Sequence, residues 1–261
     1  MDLTFVSVHN RKVSYKDSGQ GLPLVFLHPP GMGQAVFHKQ FELSKNYRII
    51  TYDMCGHGES ESCQQSPTME ALAAELKDLL DALNIQRAVL IGYSAGGSVV
   101  QHFALSYPER TLGIVLSGGY PRVKSFLLNL EYQGGLLLSK SAPLQLAMII
   151  ATAHAQSKAE REHLIQSMLQ TDQSVWHEFY RTSYTYSCLD RLQEIDAPML
   201  VVYGQFARHT RAHASDYQLH VRNCSIAVVR HAFHELPTRH WKELNHLIDS
   251  FINSKVLRDN P

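Results

Sequence analysis

Residues 88–97 read Ala-Val-Leu-Ile-Gly-Tyr-Ser-Ala-Gly-Gly, and the stretch SVVQHFALSY, residues 98–107, follows at once. A short apolar run bounded by glycine reads as a buried strand, and the spacing then becomes helical. Between the two lies Gly92-Tyr93-Ser94-Ala95-Gly96, a G-x-S-x-G in the context that gives it meaning: strand, sharp turn, helix. There the serine is held in a strained backbone conformation with its hydroxyl raised above the sheet. Gly92 and Gly96 keep side chains out of the crowded flanks, and the helix start brings backbone N–H groups beside the hydroxyl. A glycine-rich turn with a capping serine would share the letters but not these flanks. Ser94 is therefore the candidate nucleophile.

Outward from this turn, strand and helix alternate along most of the 261 residues. PLVFL (Pro23–Leu27), RIITY (Arg48–Tyr52), Ile114–Leu116, MLVVY (Met199–Tyr203) and SIAVV (Ser225–Val229) are short apolar runs, as buried parallel strands tend to be. Leu3–Val8 and Lys12–Asp17, with a polar turn at His9-Asn10-Arg11, predict a leading hairpin. Ser66-Pro67 predicts an N-cap and first helical residue, ahead of Met69, Leu72, Ala73, Leu76, Leu79, Leu80 and Leu83 on one face. Trp241, Leu244, Leu247, Ile248 and Phe251 mark the last helix in the same way. Tyr120 to Leu192 holds no convincing strand and reads as helices, including LQLAMIIATAHA and EREHLIQSML. The class is α/β, with a helical insertion. A second independent domain accounts for it less well, because the strand series resumes afterwards.

Hydrophobic residues make up 44% of the chain and charged residues 18%, enough apolar material for a large core. Lys+Arg and Asp+Glu both total 24, so charge favours neither nucleic acid nor an anionic membrane surface. No apolar run approaches the roughly 18 residues needed to span a bilayer. The start, MDLTFVSVHNRK, lacks the basic-then-apolar layout of a signal peptide. Cys55, Cys63, Cys188 and Cys224 show no CxxC spacing, so reduced thiols in a cytoplasmic protein are expected. His209 with His213 and His231 with His234 could each share a helix face. Neither pair has acidic or cysteine partners at metal-ligand spacing, so no metal is expected.

Two further stretches accompany the serine turn: His28-Pro29-Pro30-Gly31 after PLVFL, and Tyr52-Asp53-Met54-Cys55-Gly56-His57-Gly58-Glu59-Ser60 after RIITY. They are similar to the His-Gly oxyanion loop and the D-x-R-G-x-G-x-S loop of the α/β-hydrolase superfamily. On these motifs the chain resembles that superfamily over nearly its whole length, in the serine esterase/lipase-like branch with a helical cap. The resemblance implies an eight-stranded, mostly parallel sheet with helices on both faces. It also implies a core of residues 1–119 and 193–261, with a cap of residues 120–192 after strand six. It further implies a monomer or homodimer without cofactor, acting on a small-molecule, ester-like substrate. The family's histidine follows the last strand. His231 and His234 both do, and the spacing to the aromatic Phe251 favours His234.

A serine hydroxyl needs a neighbouring imidazole because it is almost wholly protonated at neutral pH; the imidazole takes the proton during attack and returns it to the leaving group. Ala95 keeps one oxyanion N–H. Pro30 has none to give, so Gly31 or Met32 must supply the other. Cys55 stands where the family has arginine, which reads as structural drift or as a thiol near the site entrance. The larger departure follows strand seven, where the family has G-x-x-D and this chain has Gly204-Gln205-Phe206-Ala207. Ala207 occupies the position of the missing acid. Three accounts stand open: a substitute carboxylate such as Asp190 or Asp216, a Ser94–His234 dyad, or a ligand-binding protein without turnover. The expected activity is hydrolysis of a small or medium carboxylic ester or thioester. Carbon–carbon bond hydrolysis, lactone opening and cofactor-free peroxidation use the same residues.

Overall fold

The serine turn sits at the end of a central strand whose two faces are both covered. The computed structural model describes residues 4–64 and 66–259. Its strands are β1 (Thr4–Val8), β2 (Arg11–Ser18), β3 (Pro23–Leu27), β4 (Arg48–Tyr52), β5 (Ala88–Tyr93), β6 (Thr111–Ser117), β7 (Met199–Gly204) and β8 (Cys224–Val229). They form one eight-stranded sheet in the order β1-β2-β4-β3-β5-β6-β7-β8. β1 pairs antiparallel with β2, and β2 with β4; every other pairing is parallel. This is the eight-stranded, mostly parallel sheet that the resemblance implied.

Helices cover both faces. The larger ones are α1 (Met69–Ala82), α2 (Gly96–Ser106), α3 (Phe126–Ser141), α4 (Pro143–His154), α5 (Lys158–Leu169) and α6 (Gln173–Thr185). After β7 come the short α7 (Arg208–Arg211) and α8 (Ala214–His220), then α9 (Leu236–Arg239) and α10 (Trp241–Phe251) after β8. Successive strand residues point to opposite faces, which splits the core in two. Val25, Leu90 and Val201 pack with Leu76 of α1 and Phe103 of α2. Phe26, Ile91 and Val202 pack with Leu244, Ile248 and Phe251 of α10.

Local expectations need three corrections. The leading hairpin turns on His9 and Asn10 alone, both left-handed (φ 50° and 58°), because Arg11 already pairs with Val8 in β2; Leu3 lies outside the described residues. Helix α1 starts after Thr68, whose hydroxyl accepts the Ala71 N–H at 3.1 Å, and not at Pro67. The Pro67 carbonyl is instead taken by Thr182 of α6, at 2.8 Å. Cys55 and Cys63 are joined as a disulfide, against the expectation of reduced thiols. The loop after β4 returns on itself and brings their Cα atoms to 5.5 Å, within bridging range. Cys55 is thus no reactive thiol; Cys188 and Cys224 are free.

Four helices, α3 to α6, lie between β6 and β7. They rest on the loops that follow the parallel strands. Asp172 N–H donates to Gly56 O at 2.8 Å, Gln156 Nε2 to Thr238 O at 2.8 Å, and Ser125 Oγ to His209 O at 2.7 Å. No described helix is long and apolar enough to cross a membrane.

Candidate active site

Ser94 has φ 51°, a left-handed conformation that costs energy in a residue with a Cβ. The turn is held by Ser94 N–H on Ser117 O at 2.9 Å and Gly97 N–H on Ser94 O at 2.9 Å. A Cβ at Gly96 would lie 2.2 Å from Leu27 O, and one at Gly92 would lie 2.5 Å from the Gly97 Cα. The glycines of the motif are therefore steric necessities. Ala95 directly precedes the first residue of α2, among the N–H groups that a helix start leaves unpaired.

Above the turn is a cavity of about 80 Å³, lined in part by Ser94, Ala95, Tyr93, Tyr120, His154 and His234. Ser94 and His234 thus open into one space, although no hydrogen bond joins them among the described residues. The Tyr120 hydroxyl faces Ser94 and lies 2.5 Å from that of Tyr132. Pro29, Pro30 and Met32 form one wall. The Met32 N–H donates to Pro29 O at 3.3 Å. Gly31 (φ 82°) stands against Trp176, where a Cβ would lie 2.1 Å from Cε2.

The structure separates the two candidate histidines. His231 is exposed, and its N–H is bound by Gln205 Oε1 at 2.9 Å. His234 is half-buried, with its ring packed 5.1 Å from Tyr93 and 4.8 Å from His209, centroid to centroid. Gly118 (φ 65°) closes the third side; a Cβ there would lie 2.4 Å from His234 Cε1 and 2.6 Å from Nδ1. Burial, then His209 and His154, hold the His234 imidazole well below its ordinary pKa. It is neutral at pH 7, as a general base must be.

Among the described residues, no carboxylate reaches His234 in place of the absent one. His234 Nδ1 is buried and has no hydrogen-bond partner. Ala207 is buried and opens α7. Asp216 pairs with His213 Nδ1 at 3.1 Å, and Asp190 is exposed in the turn Leu189–Glu194. Glu131 of α3 comes nearest to the role: its Oε2 lies 3.5 Å from Nε2 of His209, the ring packed on His234. Its carboxyl is pushed upward, chiefly by desolvation where it meets the cavity and then by Glu235, although 54% of the side chain reaches solvent.

The flanking loops are fixed from beneath. His28 Nδ1–H donates to Pro29 O at 2.9 Å, and its Nε2 accepts the Met54 N–H at 3.0 Å, tying the loop after β3 to that after β4. Burial lowers its pKa to about 4. Asp53 accepts the Gln34 N–H at 2.7 Å and Gln34 Nε2 at 2.9 Å, so it braces a loop and does not face the cavity. Sequence reasoning missed His154, which takes the Tyr93 hydroxyl on Nε2 at 2.8 Å while Nδ1–H donates to Ile150 O at 2.8 Å. It also missed Glu131, Tyr132 and Tyr180. All four sit on the inserted helices, where no motif marks them; Tyr93 alone carried a signal, as the residue before Ser94.

A family model described as alpha/beta hydrolase fold matches residues 23–217. The 2-hydroxy-6-oxononadienedioate/2-hydroxy-6-oxononatrienedioate hydrolase of Paraburkholderia phymatum is 33% identical over 215 residues, 74% of each chain. Among solved structures, an esterase of Thermogutta terrifontis superposes with TM-score 0.80 at 22% identity, covering 97% of this chain and 98% of that one. The enol-lactonase of Burkholderia xenovorans gives 0.84 at 19% identity, covering 96% and 100%. These two structures show likeness of fold alone. With the matched family model and the 33% identical relative, they establish that the chain belongs to the α/β-hydrolase fold family.

Proposed function

We propose that the protein hydrolyses small or medium carboxylic esters or thioesters with a Ser94–His234 dyad. One observation carries this reading: Ser94 is held in the left-handed turn at the floor of a cavity it shares with a neutral His234. Ser94 Oγ attacks the acyl carbon as its proton passes to His234 Nε2. The proton then leaves with the alcohol or thiol. Water, activated by the same imidazole, releases the acid and restores Ser94. Ala95 N–H is one donor to the oxyanion, and the other is Gly31 N–H, or Met32 N–H once it leaves the Pro29 carbonyl it holds at 3.3 Å; in measured cases such a donor is worth roughly 3–4 kcal/mol. Residues 120–192 act as the cap that shapes the cavity.

The relative at 33% identity is named for a dioate, a substrate with two carboxylates. Among the described residues, neither Lys nor Arg lines the present cavity, whereas Glu131 does. An unpaired anion would be costly there, so an uncharged acyl group fits better. The reading is tested with p-nitrophenyl acetate and butyrate. Turnover that disappears in Ser94→Ala is expected. Thermal stabilisation by small apolar esters, with no turnover above the Ser94→Ala background, would instead indicate a binding protein.

A further inference from the structure

Four tyrosines stand around the cavity above Ser94: Tyr93 ends β5, Tyr120 follows β6, Tyr132 lies on α3 and Tyr180 on α6. Tyr120 and Tyr180 each meet Tyr132 edge-on, with centroids 6.1 and 6.0 Å away and planes at 89° and 88°. An aromatic ring is electron-rich on its faces, so such a lining attracts cations and offers anions nothing. Among the described residues, Glu131 is the one carboxylate that lines the cavity; the lining imidazoles of His154 and His234 are neutral. Beneath the larger effect of burial, the Glu131 charge is felt by all four phenols, and Glu235 adds a second negative charge at Tyr93. No described Lys or Arg pairs with Glu131. His209 Nε2 lies 3.5 Å from its Oε2 but makes no hydrogen bond, and burial, then His213, lowers that imidazole pKa to about 4.

We propose that Glu131 and these four tyrosines form a subsite for a cation, so that the preferred substrate joins an uncharged acyl group to an alcohol bearing an ammonium head. Ser94 lies at the floor of the cavity, and Glu131, with 54% of its side chain reaching solvent, stands at the mouth. The ester spans the two: its carbonyl meets Ser94 while the ammonium lies among the rings beside Glu131. A neutral alcohol would also fit the rings, but it would cover the carboxylate and leave it unpaired, whereas an ammonium pairs with it. A methylated ammonium suits this lining best, since it needs aromatic rings and a negative charge and no hydrogen-bond acceptor. The chemistry at Ser94 is unchanged: the alcohol leaves with the proton from His234 Nε2 and keeps its own charge.

The inference rests on the hydrolytic reading and is tested with two esters of one shape: acetylcholine, which ends in trimethylammonium, and 3,3-dimethylbutyl acetate, which has carbon in place of the nitrogen. At pH 8 the Glu131 carboxyl, pushed up to about 7, is ionised. There kcat/KM for the cationic ester should exceed that for the neutral one by about tenfold or more. Glu131→Gln should bring the two within about threefold of each other, and Glu131→Lys should favour the neutral ester. Binding is read separately: tetramethylammonium chloride should raise the Tm of the unsubstituted chain and of Ser94→Ala above that in equal sodium chloride, and should not do so in Glu131→Lys. Equal rates for the two esters, or a cation preference that survives in folded Glu131→Lys, would overturn the subsite. Glu131-dependent stabilisation by tetramethylammonium, with no Ser94-dependent turnover of either ester, would uphold the subsite and overturn the hydrolytic reading alone; absence of both would overturn both.

Discussion

Ala207→Asp restores a carboxylate on the segment where the fold family carries one, and its effect can be bounded from the structure. Loss of the aspartate in a well-characterised triad costs about 10⁴ in turnover, which sets the ceiling. Part of that benefit is already present here, because Tyr93, Gly118 and His209 fix the ring sterically. What remains is charge. A carboxylate about 4 Å from the imidazolium contributes ~4 kcal/mol at an effective dielectric of 20. Ala207 is 1% exposed, so the new carboxylate is desolvated, at a cost of about 1–3 kcal/mol. The surplus of ~1–3 kcal/mol corresponds to a gain in kcat of about 5- to 150-fold. The acid limb of kcat/KM should move up by about one pH unit or more, since the carboxylate raises the His234 pKa. The assay is p-nitrophenyl ester hydrolysis across pH 5–9, with a melting curve to show that the larger residue is accommodated. A folded variant with unchanged kcat and an unmoved acid limb would refute the claim that His234 works without a carboxylate partner.

Gly118→Ala should disable the site through geometry alone. The position has φ 65°, and the new methyl would sit 2.4 Å from His234 Cε1. Turnover should fall by more than about 100-fold, with about 1–2 kcal/mol of stability lost in denaturant melts; near-wild-type turnover would show that this steric hold on the ring is not needed. Acid should also weaken the fold. His28, His57 and His154 are buried neutral, with pKa values lowered to about 4, 3 and 4, chiefly by desolvation. Their contribution is whole above pH 6.5, the unfolded value, and is lost as pH falls toward 4, because the unfolded chain takes up protons that the native state refuses. Tm should therefore decline across that window, and a flat Tm there would contradict neutral burial of the three.

The central fold was legible because buried strands announce themselves locally. Pro23–Leu27 and Arg48–Tyr52 were read with their observed bounds, since apolar β-rich runs between breakers have few other solutions. β6 was read short. The strand in fact starts at Thr111 and runs through Gly113, a close-packing position where a Cβ would lie 2.8 Å from the Val256 side chain. The start of α1 was misplaced because Ser66-Pro67 is a good local cap, yet Thr182, more than 100 residues away, claims the Pro67 carbonyl. The disulfide was hidden for a similar reason: the eight-residue separation of Cys55 and Cys63 says nothing about a loop that turns back. Ser94 and the absent acid at Ala207 were visible as motif positions. His209, Glu131 and His154 were not, because their importance comes from how the inserted helices meet the loops after β7 and β8.

The central claim is that Ser94 is a nucleophile activated by His234 alone. The most direct measurement is the rate of covalent labelling by a fluorophosphonate, with the adduct located by peptide mass spectrometry. The account predicts a single adduct on Ser94, formed at least about 100-fold more slowly in His234→Ala, with a rate that rises with pH as His234 loses its proton. No adduct on Ser94 in the folded protein, or an adduct formed equally fast in His234→Ala, would contradict it.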